Sequence, residues 1–318
     1  MDAAAWSQKV GVVLRITERA VRTWPLNEWA LLRRVLPDGG SSDPDPRRFM
    51  PDRGSSLAFD DLGFMPGLGD HVVSARARFP VMIATENLVG AAQVHGAASQ
   101  QRRTNVASVA SLCRCAIEGS AKTIWLLAGT GREERRARCL GFMQSERLPQ
   151  QGFIRIEEQA FAKRNVATDA PEYKNFLRHR TEHDEGQKLI AAVPKAQRKK
   201  PPSNYSDIVA WSAKWIDANP PVHPTDQTTL GMDLGAGRFY SYASSFVHAY
   251  KWMSDYIRDD ITSLKTVADG FAAALIMTEY AVALFEAQST RPARTVVRRR
   301  NYPQSLVPTV DAWASRYE

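Results

Sequence analysis

The sequence predicts an all-α protein, an irregular multi-helix bundle with long loops, and three observations support this prediction. Apolar residues recur at helical spacing through most of the chain. No segment shows the sustained alternation of apolar and polar residues that a sizeable sheet would need. Of the 318 residues, 44% are hydrophobic and 24% are charged, which is typical of a folded globular protein.

The first 70 residues divide into two predicted regions. Residues 1–36 are predicted to form N-terminal helices, because apolar residues from Trp6 to Trp24 make one stripe before Pro25 ends the pattern. Residues 37–70 are crowded with Gly, Pro, Ser and Asp and show no periodicity. They are predicted to form a long loop prone to disorder, because these residue types favour turns over helices.

Residues 71–290 are predicted to form the main helical domain. Helical spacing predicts a charged helix after Gly131 and further helices over residues 79–99, 102–127, 154–165, 171–193, 207–218, 239–257 and 264–286. The most apolar run, residues 271–285, contains Glu279 and is too short to span a bilayer. It is predicted to be a central core helix, and no membrane partner is expected.

Basic residues outnumber acidic residues by 42 to 34, which gives a formal net charge of +8 and favours polyanionic partners. Two basic clusters stand out, one in a proline-containing linker (194–204) and one in the predicted basic C-terminal tail (291–318). Their members are Arg198, Lys199 and Lys200, and Arg291, Arg294, Arg298, Arg299 and Arg300. On a shared face they would bind phosphates in a salt-dependent way. The alternative is that both are flexible, solubilising segments.

No metal or cofactor site is predicted. Cys113 and Cys115 are two positions apart on a predicted helix, so they point to roughly opposite sides and cannot chelate one ion there. The aspartate doublets at 60–61 and 259–260 lack the further acid that would complete a magnesium cage. The odd number of cysteines and the absence of a signal-peptide pattern indicate reduced thiols in the cytoplasm.

One short motif suggests ribonuclease chemistry. Arg178 and His183 are separated by four residues, the first of which is the polar His179. This spacing resembles the R-x(4–6)-H signature of the helical HEPN ribonucleases. The resemblance implies that the Arg stabilises phosphate charge and the His transfers protons, without metal, across a dimer. The structural alternative is a solvated helix face.

The predicted helix 239–257 has a second, polar face, and Arg238 lies at its start. Its members follow helical spacing: Ser241, Ser245, His248, Trp252 and Asp255. They are interpreted as either a polar pocket or a hydrogen-bonded contact between helices.

Two segments, residues 103–146 and 238–252, resemble segments of uncharacterised all-helical proteins of actinobacteria and their phages. The matching positions are Glu118, Trp125, Arg135, Tyr240, Ser245 and His248. The resemblance implies that the two helices pack near each other with Glu118 close to His248, and it brings no established activity. Together with Arg238, these residues (apart from Arg135) form the predicted small-molecule pocket.

The leading hypothesis is a non-enzymatic helical protein of bacterial or phage origin, a homo-oligomer that contacts nucleic acid or an acidic protein partner through its basic segments. One alternative is a metal-independent HEPN-like ribonuclease of the toxin or abortive-infection type that uses Arg178 and His183. Another is a small-molecule pocket protein.

Overall fold

A computed structural model describes residues 51–101, 103–223, 231–291 and 302–317. Within these residues the structure consists of helices and turns without any strand, so the all-α prediction is confirmed. The helices are α1 (Ser56–Asp61), α2 (Val72–Gln100), α3 (Val106–Leu127), α4 (Arg132–Ser145), α5 (Arg147–Arg164), α6 (Pro171–Ala192), α7 (Tyr205–Ala218), α8 (Gly231–Val247), α9 (Asp260–Ser289) and α10 (Val307–Ala314). The predicted N-terminal helices, residues 1–36, lie outside the described residues.

Helices α2, α3 and α9 form the centre of the bundle. A Cβ atom at Gly119 of α3 would lie 2.5 Å from the carbonyl oxygen of Pro80 in α2, so only glycine allows this close crossing. Side-chain hydroxyl groups also form hydrogen bonds between α3 and its neighbours α2 and α9. Thr123 Oγ1 donates to a backbone carbonyl of α2 at 3.0 Å, and the Ser120 and Thr278 hydroxyls are 3.1 Å apart.

Helix α9 is the predicted core helix, and the structure confirms it. Its N-terminus is capped by Asp259, whose carboxylate accepts the Thr262 N–H at 2.7 Å. The helix is long and apolar enough to cross a bilayer, but 83% of its most apolar window is buried inside the protein. That burial is typical of a core helix.

The loop prediction for residues 37–70 is wrong for residues 56–61, and residues 66–68 form a short 3-10 turn, whereas residues 37–50 lie outside the described residues. Helix α1 spans residues 56–61, and Leu57 is fully buried. Asp61 Oδ1 accepts the N–H groups of Val73 at 2.7 Å and Ser74 at 3.1 Å, so it caps the first turn of α2. Buried aspartates, rather than an apolar stripe, attach this segment to the bundle, and periodicity therefore missed it.

The prediction of a basic tail over residues 291–318 is also wrong for residues 302–317. Helix α10 packs against α9, and Trp313 is only 1% exposed. The apolar residues after the arginines are therefore part of the core.

The Thr309 side chain in α10 forms hydrogen bonds to the residues that follow α7. Thr309 Oγ1 accepts the N–H of Val222 at 2.8 Å and of His223 at 3.0 Å, and it lies 2.8 Å from His223 Nδ1. His223 Nε2 lies 3.7 Å from a carboxylate oxygen of Glu279 in α9.

The predicted helix 239–257 ends early. Helix α8 stops at Val247, because Ala249 adopts a left-handed conformation with φ 53° and a short 3-10 turn, Lys251–Asp255, follows. The polar stripe predicted from Ser241 to Asp255 is therefore interrupted. After the bend, Trp252 packs beside Tyr242 and Tyr256 on the surface, with ring centroids 5.8–6.4 Å apart across the three rings.

Helices α5 and α6 form a hairpin with its own small cluster of buried residues, Ile154, Phe161 and Phe176. The start of α6 at Pro171 agrees with the prediction. On the outer side of α5, Leu148 and Ile156 remain 75% and 64% exposed. This hairpin depends on far fewer buried side chains than the central helices.

Candidate functional site

Helix α4 has a buried side, and Arg135 dominates it. The Arg135 side chain is 1% exposed and donates all five N–H groups. Its acceptors are both carboxylate oxygens of Asp60, at 2.5 and 2.8 Å, the Ser56 hydroxyl at 2.7 Å, and the carbonyls of Gly129 and Thr130 at 3.0 and 2.9 Å. This saturated arrangement is structural, because no donor remains for a ligand.

The other side of α4 borders a groove of about 460 Å³, which we call the α4 groove. Its volume lies in the range of small-molecule sites, about 300–1,000 Å³. Apolar and polar side chains line it: Phe64, Met65, Glu133, Arg136, Ala137, Leu140, Val193, Ala196 and Gln197. It lies between the 3-10 turn after α1, helix α4 and the turn after α6.

Arg136 forms a rigid wall of the groove. Its Nε donates to the Asp60 carbonyl at 2.8 Å, and its Nη2 donates to the Leu62 carbonyl at 2.8 Å. Its guanidinium carbon lies 5.0 Å from the centroid of the Phe64 ring, and its Nη1 lies 3.5 Å from a carboxylate oxygen of Glu133. Burial lowers the pKa of Arg136, followed by repulsion from Arg132.

Met65, in the opposite wall, has a left-handed backbone with φ 52° and ψ 56°. An unbranched residue other than Gly or Asn is uncommon there and costs on the order of 1–3 kcal/mol. Strained residues of this kind cluster at binding sites. The position of Met65 therefore adds weight to the groove as a site.

A basic segment, residues 195–200, lies along the groove and is tied to α4. The Lys199 N–H donates to the Ala137 carbonyl at 2.9 Å. A Cβ atom at Gly141 would lie 1.9 Å from the Lys199 carbonyl oxygen, so this contact needs glycine. Lys199 Nζ donates to Glu134 at 2.5 Å. The alternative of a flexible, solubilising linker does not fit these contacts.

The cations of the basic segment are not equivalent. Arg198 donates to the Val193 carbonyl at 2.7 Å and to the Gln144 side chain at 3.2 Å, so it is used structurally. Lys195 and Lys200 are exposed and form no ion pair with any described residue. They remain available to a ligand on the segment that contributes Ala196 and Gln197 to the groove.

Glu134 on α4 neutralises the charge of Lys199, the third lysine of the basic segment. A hydrogen bond from Lys199 holds the pKa of Glu134 below its usual value, opposed by partial burial, and Arg138 lowers it further. This carboxylate fixes the basic segment to the helix.

The predicted small-molecule pocket is only partly assembled. Tyr240 on α8 donates to Glu118 on α3 at 2.7 Å, and Arg114 Nη2 donates to the Tyr240 hydroxyl at 3.3 Å. The predicted packing of these two helices is confirmed. Burial is the main reason that the pKa of Tyr240 rises to about 12.

The other predicted pocket residues lie elsewhere. Trp125 packs on Phe142 with ring centroids 5.1 Å apart, and Arg238 pairs with Asp269 at 3.2 Å. Ser245 donates to a backbone carbonyl of its own helix. His248 is exposed beyond the end of α8 and stacks near Tyr250 with centroids 5.5 Å apart. The structure therefore places Glu118 beside Tyr240, and records no contact between Glu118 and His248.

The residues of the ribonuclease-like motif also separate within the described chain. Arg178 is 71% exposed on the side chain and lies 4.0 Å from Glu182, whereas His183 is only 6% exposed. A proton-transferring imidazole must reach the substrate. Within one chain the structure brings the two residues into no common site.

Of the predicted tail arginines, only Arg291 is described. Its backbone N–H donates to Asp52 Oδ2 at 3.3 Å, and its side chain lies beside Gly54. Arg294, Arg298, Arg299 and Arg300 lie outside the described residues.

The cysteines behave as the sequence predicts. Cys113 is buried and Cys115 is exposed, on opposite sides of α3. Burial raises the pKa of Cys139 to about 12. Among the described residues, no group of three His, Cys, Asp or Glu side chains lies close enough to hold a metal ion.

No protein-family model matches the chain, and neither a curated protein nor a solved structure is significantly similar to it. The resemblances to phage and actinobacterial proteins and to HEPN ribonucleases therefore stay predictions.

The sequence prediction missed the α4 groove. The composition of residues 63–69 predicts a loop, and only the basic segment beside the groove stands out in the sequence. A signal was present in the charged run of α4, where Glu133, Glu134, Arg135 and Arg136 follow one another. Four consecutive charges on a helix cannot all face solvent, because successive residues are turned by about 100°.

Proposed function

We propose that this protein binds nucleic acid through the α4 groove and the exposed lysines of the basic segment. The observation that supports the proposal is the fixed attachment of residues 195–200 to α4 beside a groove lined by both apolar and polar side chains. A cation held in place loses less conformational entropy on binding than one on a free linker. A positively charged groove combined with aromatic side chains and arginine is typical of single-strand binding sites.

The charge at the rim supports an anionic partner. Glu133 is the carboxylate in the groove wall, and Arg132 and Lys195 directly precede the lining residues Glu133 and Ala196 in the chain, with Lys200 at the end of the same basic segment. Lys199 and Glu134 largely cancel each other, since their charged atoms are 2.5 Å apart. The net positive rim agrees with the chain's formal net charge of +8.

The test measures binding of a labelled single-stranded oligonucleotide by fluorescence anisotropy between low and high salt. We expect Lys195→Gln with Lys200→Gln to weaken binding at low salt. The slope of log K against log salt should fall by roughly 1.4, because each phosphate contact contributes about 0.7 for a single strand.

The matched control is Lys174→Gln with Lys214→Gln, which removes the same charge from exposed positions on α6 and α7. Equal loss in both variants would mean that overall charge, not this site, drives binding. Absence of any salt-sensitive binding would overturn the proposal and favour an acidic protein partner. Cleavage of RNA without metal that disappears in His183→Ala would favour the ribonuclease alternative.

A further inference from the structure

The α4 groove separates two kinds of polar group. The free lysines, Lys195 and Lys200, lie on the exposed segment beside it, whereas Glu133 contributes a carboxylate to its wall. A phosphate is repelled by a carboxylate and attracted by the lysines. A nucleic-acid strand would therefore keep its backbone on the rim and direct something uncharged inwards.

The groove contains an aromatic ring and a guanidinium that pack on each other, with the guanidinium carbon 5.0 Å from the centroid of the Phe64 ring. Phe64 and Arg136 both line it, and the guanidinium of Arg136 is held in one orientation by the carbonyls of α1 and the turn after it. Unpaired bases stack on aromatic rings and on arginine planes in single-strand complexes. A base paired within a duplex cannot reach such a surface without leaving its stack.

The polar groups beside these surfaces discriminate among bases. The Glu133 carboxylate accepts hydrogen bonds and cannot donate them. The Glu133 carboxylate lies 3.5 Å from Arg136 Nη1, and the side chain is 85% exposed, so the carboxylate is accessible to a base edge. Guanine offers two adjacent donors, N1–H and the N2 amino group, on its Watson–Crick edge. Adenine, cytosine and uracil each place an acceptor next to their single donor group, which a carboxylate repels.

We infer that the α4 groove takes one unpaired nucleobase, and that Glu133 makes guanine the preferred one. The inference rests on the proposed nucleic-acid binding. The inference predicts that the protein binds single strands more tightly than duplexes, and guanine more tightly than the other three bases.

The experiment compares four labelled ligands by anisotropy. They are an oligouridine with one central guanine, the same strand with inosine in its place, an all-uridine strand, and a duplex containing the guanine strand. Inosine lacks the N2 amino group and so keeps one donor of the two. We expect the guanine strand to bind at least about fivefold more tightly than the inosine strand, the lower limit for a bidentate contact.

The deciding variant is Glu133→Gln, which keeps the size of the side chain but adds a donor. Because Glu133 is exposed, the substitution leaves the fold intact. It should abolish the preference for guanine over inosine. Glu172→Gln, an exposed position on α6, removes the same charge and should keep the preference.

The outcomes separate the two proposals. Equal binding of all four ligands, with the lysine-dependent salt slope intact, would overturn the guanine inference and leave nucleic-acid binding standing. A guanine preference that survives in Glu133→Gln would also overturn it. No binding by any ligand at low salt would overturn both.

Discussion

The two sides of helix α4 use the same residue type for opposite purposes. Arg135 is 1% exposed and donates every N–H group to a fixed acceptor, whereas Arg136, the next residue, presents its guanidinium to the α4 groove. The first side joins α1 to the bundle and has no capacity left for a ligand. The second side is pre-organised and still reachable. The nitrogens of both guanidinium groups have partners, so exposure of the side chain, 15% for Arg136 against 1% for Arg135, separates the two arginines here.

The largest effect is expected on the buried side. Arg135→Met should lower the free energy of unfolding by about 3–5 kcal/mol, because it leaves the Asp60 carboxylate buried and uncompensated. Chemical denaturation monitored by circular dichroism measures this change. The double variant Asp60→Asn with Arg135→Met should recover part of the loss. If the single variant were as stable as the wild type, the buried pair would not hold α1 in place.

A smaller effect is expected where the basic segment crosses α4. Gly141→Ala should destabilise the protein by about 1–3 kcal/mol, because the new Cβ overlaps the Lys199 carbonyl. Trypsin should then cut residues 195–200 faster. Gly152→Ala is the control, since nothing lies within 4 Å of a Cβ there, and alanine should stabilise α5 by up to about 1 kcal/mol. Equal stability and equal trypsin cleavage of the two variants would contradict the close contact between Gly141 and the Lys199 carbonyl.

Low pH should weaken the ion pair between Lys199 and Glu134. The folded-state pKa of Glu134 is lowered, first by its hydrogen bond from Lys199, so its stabilising contribution is present above the unfolded value near 4.5 and is lost as pH falls through the folded value. The stability difference between wild type and Glu134→Gln should therefore shrink as pH falls from 7 to 3. A difference that stays constant over this interval would contradict the assignment.

The smallest effect is expected at an exposed arginine of the hairpin. Arg178→Gln should change the free energy of unfolding by less than about 0.5 kcal/mol, because its pairing with Glu182 is 4.0 Å long and solvated. Thermal denaturation in parallel with Arg135→Met gives the comparison directly. A loss of several kcal/mol at this position would show that exposure does not separate the two kinds of arginine.

Local sequence patterns were sufficient for the central helices. Helical spacing predicted α3 with Cys113 and Cys115 on opposite sides, and the apolar run of α9 identified the core helix. Trp125 was predicted to line a small-molecule pocket, yet it is 3% exposed. Arg138 of the next helix lies over its ring at 5.2 Å, a contact that the spacing of one helix cannot reveal.

The α4 groove could not be predicted from local sequence patterns, because it too depends on contacts between distant elements. Phe64, Arg136 and Ala196 line one groove although they come from three distant parts of the chain. Each was interpretable only within its own element, as a loop, a charged helix and a linker. The basic segment was found from composition, but its attachment depends on Gly141, a residue that contributes by lacking a side chain.

The Thr309 hydroxyl holds the C-terminal helix to another part of the chain through several contacts at once. It accepts the backbone N–H groups of Val222 and His223, and it lies 2.8 Å from His223 Nδ1. On the other side of the same ring, Nε2 lies 3.7 Å from a carboxylate oxygen of Glu279 in α9. One imidazole therefore bridges α10 and the core helix, so replacing either Thr309 or His223 should loosen both attachments together.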